Sequence, residues 1–189
     1  MFLRALPHLI TLLRVFCSPL IAWLLVTSRF RWAVAAILFA GITDFLDGYT
    51  ARQVKSSGQL GVVLDPLADK VLLVTLFVVL GVLRLIPLWM LGLAIVRDLV
   101  IVIGAWLVRI FRGRRKFLPT TLGKVSTFFQ IVLVFLVVCC AAFPSRILQG
   151  LALTALILSA IFTAWSGLDY VRIGIGMARE KALAAPQRA

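Results

Sequence analysis

Two stretches of this chain, Val125 to Ser145 and Ile147 to Leu168, run for 21 and 22 residues without one charged side chain. A run of about 20 apolar residues matches the hydrocarbon thickness of a bilayer when coiled as a helix. Backbone groups in lipid find no water, so such runs must satisfy their own hydrogen bonds as helices. Four further apolar runs are interrupted. Leu9 to Thr27 carries Arg14, and Trp32 to Thr50 carries Asp44 and Asp47. Val62 to Leu83 carries Asp65, Asp69 and Lys70, and Leu85 to Val108 carries Arg97 and Asp98. The pattern predicts an all-α integral membrane protein with six transmembrane helices and one membrane domain over residues 1–189.

Composition agrees. Of the 189 residues 62% are hydrophobic and 14% charged, whereas soluble domains carry about a quarter charged residues. The net charge of +13 could suit nucleic acid, but the cations lie between long apolar runs. Anionic lipid headgroups and phosphate-bearing substrates fit better, and no nucleic-acid partner is expected. Cys17, Cys139 and Cys140 all lie inside apolar runs and read as unpaired small residues. The N-terminal run imitates a signal peptide. No small-x-small cleavage site precedes Ser28-Arg29, and it reads as the first membrane helix.

The loops orient the spans. Numbering the connections alternately, one side collects 16 of the 20 Lys and Arg residues, leaving only Arg29, Arg31, Arg84 and Arg146 on the other. The richer side should be cytoplasmic, with both termini inside.

Only seven residues are acidic, and four fall in one 26-residue window as Asp44, Asp47, Asp65 and Asp69. The pairs are spaced i, i+3 and i, i+4, so each pair shares one helix face. Both lie near the cytoplasmic ends of consecutive helices joined by a short loop, and they can converge. Gathered in a low-dielectric site they would repel and bind protons. Divalent cations remove that cost. Oxygen ligands suit Mg²⁺, Mn²⁺ or Ca²⁺ rather than zinc, and four carboxylates suffice for two ions.

Gly48, Ala51 and Gly61 leave room for close approach of a ligand beside these carboxylates. The competing reading is close helix–helix contact. Arg52 can hold a phosphate by paired hydrogen bonds or simply mark the cytoplasmic side. Arg97 lies about 16 Å deep at 1.5 Å per residue, where an arginine needs a partner. Asp98 is adjacent but on a different helix face, an imperfect partner. With Lys124 at the start of the fifth helix, Arg97 suggests a second anion pocket beside the metals, fit for a phosphorylated alcohol. Arg112, Arg114, Arg115 and Lys116 in the preceding loop read as orientation and lipid-binding charges. His8, the only histidine, reads as an interfacial residue.

Together the window spells D-x-x-D-G-x-x-A-R-(x)8-G-x-x-x-D-x-x-x-D. This resembles the motif of the CDP-alcohol phosphatidyltransferases at every fixed position. The resemblance implies six membrane helices with cytoplasmic termini, a homodimer, and two Mg²⁺ or Mn²⁺ ions. It implies that Asp44, Asp47 and Asp65 ligate metal, and that Asp69 both touches metal and acts as general base. It implies that Gly48, Ala51, Arg52 and Gly61 hold the CDP part of CDP-diacylglycerol. The expected site of action is a bacterial inner (plasma) membrane, with the active site facing the cytoplasm.

Two further stretches resemble the phosphatidylglycerophosphate synthases of that family. Pro7-His8-Leu9-Ile10-Thr11-Leu12-Leu13-Arg14 is similar to their P-N-x-x-T-x-x-R, which adds Arg14 to the acceptor-phosphate candidates. Leu122-Gly123-Lys124-Val125-Ser126-Thr127-Phe128-Phe129-Gln130 is similar to their G-K-x-K-T-x-x-Q. His8 departs from a common Asn, Ser126 from a common Lys, and Asp98 stands where Glu often follows the Arg. Pro119-Thr120 also resembles cardiolipin synthases. The implied acceptor is glycerol 3-phosphate, then phosphatidylglycerol, with inositol phosphate and serine behind. Ser166-Gly167-Leu168-Asp169-Tyr170 is similar to the family's last helix but suggests no chemistry. An ion-coupled transporter is the rival from another class. It would show repeated halves and broken helices, which this sequence lacks.

Overall fold

The computed structural model describes the backbone of residues 17–53, 61–112 and 120–184, and side chains of 17–43, 70–104 and 120–176. The elements are α1, described over Cys17–Val26, then α2 (Phe30–Gln53), α3 (Gly61–Val82), α4 (Leu88–Arg112), α5 (Thr121–Ala142) and α6 (Arg146–Ala184). No strand occurs among the described residues. The all-helical expectation is met, and the three cysteines are unpaired.

Local chemistry sets the helix ends. Ser28 has φ 57 and Arg84 φ 56. Ser28 N donates to Leu25 O at 3.0 Å and Arg29 N to Leu24 O at 2.8 Å. Arg84 N donates to Gly81 O at 3.0 Å and Leu85 N to Leu80 O at 2.9 Å. Each pair of bonds is a left-handed C-terminal cap that satisfies the last carbonyls. The second cap pushes the start of α4 from the expected Leu85 to Leu88, just after Pro87. At α6, Ser145 Oγ accepts from Leu148 N at 3.1 Å, a side-chain cap at the helix N-terminus.

Two boundaries differ more. α5 begins at Thr121 rather than Val125 because the Thr120 side chain caps it: Thr120 Oγ1 accepts from Gly123 N at 3.1 Å. α6 continues to Ala184 instead of ending near Leu168. Its last stretch, Met177-Ala178-Arg179-Glu180-Lys181-Ala182-Leu183-Ala184, is rich in strong helix formers. At 1.5 Å per residue the 39 residues of α6 extend about 58 Å, well beyond a hydrocarbon core.

The chain forms two compact units. The first comprises 1–88 and 134–152, with an apolar core that includes the fully buried Ile21, Leu25, Leu80 and Val138. The Arg29 guanidinium lies 5.4 Å from the Trp23 ring centroid, and that of Arg31 5.5 Å from Phe143. The second unit comprises 89–133 and 153–189. Its interior is different in kind: beside Met90 and Leu133 it buries Arg97, Ser126, Gln130, Ser159, Thr163 and Ser166. Phe129 and Phe162 stack at 4.9 Å.

Polar groups inside and large apolar groups outside are the reverse of a soluble surface. Trp32 is 69% exposed and Ile147 77%, and Trp89, Leu153 and Trp165 are also exposed. Such an apolar exterior needs lipid. Among the described residues, α5 and the Arg146–Gly176 part of α6 are long and apolar enough to cross a membrane. The chain is a membrane protein.

Candidate active site

The acidic window falls on two helices of the first unit. α2 carries positions 44, 47, 48, 51 and 52 in unbroken helical backbone, and α3 opens at Gly61 and carries 65 and 69. Asp44 and Asp47 precede the end of α2 by nine and six residues, about 14 and 9 Å along the axis. Asp65 and Asp69 follow the start of α3 by four and eight residues, about 6 and 12 Å. Counted along each helix from the ends joined by residues 54–60, the two pairs lie within about three turns of those ends. The side chains of Asp44, Asp47, Gly48, Ala51, Arg52, Gly61, Asp65 and Asp69 lie outside the described residues, as does all of Arg14. No group of three or more His, Cys, Asp or Glu suited to a metal occurs among the described residues. The chemistry of the donor set suits a hard divalent cation: these two helices offer carboxylates and no sulfur or imidazole at the expected positions.

The second unit holds the other candidates, Arg97 and Lys124. Arg97 on α4 is 4% exposed. Its Nη1 donates to Asp98 Oδ1 at 3.0 Å. Its Nη2 donates to the Gly123 carbonyl at 2.9 Å, and Nε and Nη2 each approach Ser166 Oγ at 3.4 Å. The expectation that Asp98 is an imperfect partner is corrected here. Neighbours on a helix stand about 100° apart, but the long arginine side chain closes that angle and the pair forms at 3.0 Å.

Lys124 is exposed one residue beyond Gly123, in the first turn of α5. That turn is pinned from both sides. Lys124 N donates to Thr120 O at 3.2 Å, and Thr120 N donates to Tyr170 Oη at 3.1 Å. Thr127 Oγ1 also donates to Gly123 O at 3.0 Å. Gly123 is closely enclosed by side chains. A Cβ there would lie 2.8 Å from Tyr170 Oη and 3.3 Å from both Arg97 Nη2 and Thr120 Oγ1.

Ser166 and Tyr170, given no chemistry from sequence, are thus the residues that hold Arg97 and Thr120. A signal was available. Ser159, Thr163, Ser166 and Tyr170 recur at i, i+4, i+7 and i+11 in an apolar helix, a polar stripe on one face. Thr163 Oγ1 meets Ser126 Oγ at 3.1 Å and accepts from Gln130 Nε2 at 3.1 Å. Ser126, standing where the similar motif has a Lys, is fully buried against α6. Ser159 Oγ is buried with no hydrogen-bond partner among the described residues.

The model of a family described as CDP-alcohol phosphatidyltransferase matches residues 4–165. A protein of Aquifex aeolicus named CDP-diacylglycerol–glycerol-3-phosphate 3-phosphatidyltransferase is 34% identical over 178 residues, covering 90% of this chain and 96% of the relative. A relative of the same name from Pectobacterium atrosepticum is 32% identical over 175 residues, covering 87% and 92%. The rat cardiolipin synthase (CMP-forming) is 32% identical over 145 residues, 68% of this chain but 48% of the relative. This chain spans about half of that rat protein and, at 34% identity, about a third of a Drosophila melanogaster relative.

Proposed function

Because the chain belongs to the CDP-alcohol phosphatidyltransferase family, we propose that it transfers a phosphatidyl group from CDP-diacylglycerol to glycerol 3-phosphate and releases CMP. The observation that carries this reading is the near end-to-end similarity to a bacterial enzyme named for that reaction. The four-aspartate motif on α2 and α3 supports it, with both helices in the same unit.

In this reading Asp44, Asp47, Asp65 and Asp69 hold two divalent cations, Mg²⁺ or Mn²⁺. When bound, these ions offset the negative charge of the pyrophosphate and of departing CMP. Gly48, Ala51 and Gly61 let the CDP moiety approach the helix backbones, and Arg52 binds its phosphate. Asp69 accepts the proton of the acceptor hydroxyl. The freed oxygen forms a bond to the diacylglycerol-linked phosphorus, and the bond from that phosphorus to the CMP oxygen breaks, CMP leaving with the electron pair. In-line transfer of this kind depends on positioning and charge stabilisation more than on covalent help.

Lys124 and Arg14 serve the phosphate of the acceptor, and Arg97 contributes to acceptor binding. A cation in the first turn of a helix opposes the helix dipole by about 0.3–1 kcal/mol, so Lys124 is a poor choice for helix stability. It is a good one for binding an anion at a helix N-terminus. The same reading makes the chain a single catalytic domain of six membrane spans with cytoplasmic termini. It acts as a homodimer in a bacterial inner membrane, with its site toward the cytoplasm.

The test is CMP release by detergent-solubilised protein given CDP-diacylglycerol and, in turn, glycerol 3-phosphate, phosphatidylglycerol, inositol phosphate and serine. Release that depends on glycerol 3-phosphate is expected. Release only with phosphatidylglycerol would move the acceptor to the cardiolipin-type reaction. No release with any alcohol and either metal would sink the proposal.

A further inference from the structure

We infer that Arg97 is a positioning residue: it serves acceptor binding by locking the first turn of α5, which carries Lys124, and does not itself take the acceptor's phosphate. This rests on the reading of Lys124 as the ligand of an acceptor phosphate.

Three observations in the second unit lead there. The Arg97 side chain is buried, and Nε, Nη1 and Nη2 all point at protein oxygens, those of Ser166, Asp98 and Gly123. A phosphate reaching it would meet nitrogens that each already have a protein partner, and the adjacent Asp98 carboxylate offsets its charge. Lys124 by contrast is exposed.

One bond of Arg97 reaches the first turn of α5, where other bonds meet it. Nη2 holds the carbonyl of Gly123, the residue before Lys124. The amide of Gly123 is held by Thr120 Oγ1, and the amide of Thr120 by Tyr170 Oη. The turn is thereby tied to α4 through Arg97 and to α6 through Tyr170. Helix termini otherwise fray, and a cation at the positive end of α5 adds to that tendency.

Arg97 is also braced from behind. Ser166 Oγ lies 3.4 Å from both Nε and Nη2, and Asp98 Oδ1 lies 3.0 Å from Nη1. A guanidinium held on two sides and bonded to a carbonyl is a strut. The lysine it steadies can then meet a phosphate without first ordering its own backbone, which lowers the entropic cost of binding.

A double-mutant cycle reads this out. The variants are Lys124→Met, Arg97→Lys and the pair, assayed for KM of glycerol 3-phosphate, KM of CDP-diacylglycerol and kcat. Lysine at 97 keeps the charge but is shorter and lacks the planar fork that meets Asp98, Ser166 and Gly123 at once. Each single change should raise the acceptor KM on the order of tenfold and leave the CDP-diacylglycerol KM within about twofold. The pair should be no worse than the more damaged single variant, because Arg97 has nothing left to position. Should the two losses multiply to roughly a hundredfold, Arg97 is an independent phosphate ligand and the inference is overturned. If Arg97→Lys does not accumulate as folded protein, Ser166→Ala takes its place in the cycle with a smaller loss and the same two outcomes. An unchanged acceptor KM in Lys124→Met would instead defeat the reading of Lys124, a failure separate from non-coupling.

Discussion

Replacing Gly123 with alanine sets two known effects against each other, and the structure says which wins. Gly to Ala inside a helix ordinarily stabilises by about 0.5–1 kcal/mol. Here the new Cβ would lie 2.8 Å from Tyr170 Oη and 3.3 Å from Arg97 Nη2 and Thr120 Oγ1. The tyrosine oxygen must retreat by roughly half an ångström to reach ordinary contact. Tyr170 is 5% exposed, so its ring has little room to move. The bond it accepts from Thr120 N, already 3.1 Å, then lengthens past usefulness. A neutral buried bond is worth about 0.5–1.5 kcal/mol, one to a charged group about 1.5–3. Losing the first and weakening the Arg97 bond outweighs the helix gain, for a net loss of about 1–2 kcal/mol. At about 2–4 °C per kcal/mol for a chain of this size, thermal unfolding in detergent should shift down by several degrees. The diagnostic partner is Tyr170→Phe, which removes the oxygen that the methyl would strike. Gly123→Ala in the Tyr170→Phe background should cost less than about 0.5 kcal/mol, a coupling expected of residues in contact. A rise in stability for Gly123→Ala alone would refute the close approach at this turn. So would equal losses in both backgrounds.

Three more outcomes are expected. Asp69→Asn should abolish CMP release while retaining part of the metal binding, measured by calorimetry with Mn²⁺; near-normal release would remove Asp69 from the role of base. Chelation with EDTA should stop transfer, and Mg²⁺ or Mn²⁺ but not Zn²⁺ should restore it, given an all-carboxylate donor set. Transfer that survives exhaustive chelation would contradict the metal assignment. Ser159→Ala should raise stability or leave it unchanged. Its buried hydroxyl has no partner among the described residues, and an unsatisfied polar group costs about 1–3 kcal/mol. A clear drop in unfolding temperature would reveal a bond that this reading lacks.

Much of the architecture was legible because lipid leaves so few choices. Long apolar runs must be helices, and their limits in the sequence fall within a few residues of α2, α3, α4 and α5. The misjudged ends have specific causes. Leu85 to Pro87 looks like helix by hydropathy, but Arg84 closes α3 in a left-handed conformation without the glycine that would have announced it. The extension of α6 to Ala184 is written in helix formers, yet hydropathy ends the span where charges begin.

By itself the sequence determined the class of chemistry. Four carboxylates at fixed helical intervals, in a chain with only three other acids, admit few explanations. Tertiary structure decided which polar groups meet. The stripe of Ser159, Thr163, Ser166 and Tyr170 could be seen along α6, but not that Ser166 would face Arg97 or Tyr170 the first turn of α5. Periodicity fixes which residues share a face of one helix. Which faces of two helices come together in lipid is settled by shape and hydrogen bonding, because both helices are apolar outside and burial alone does not discriminate between them.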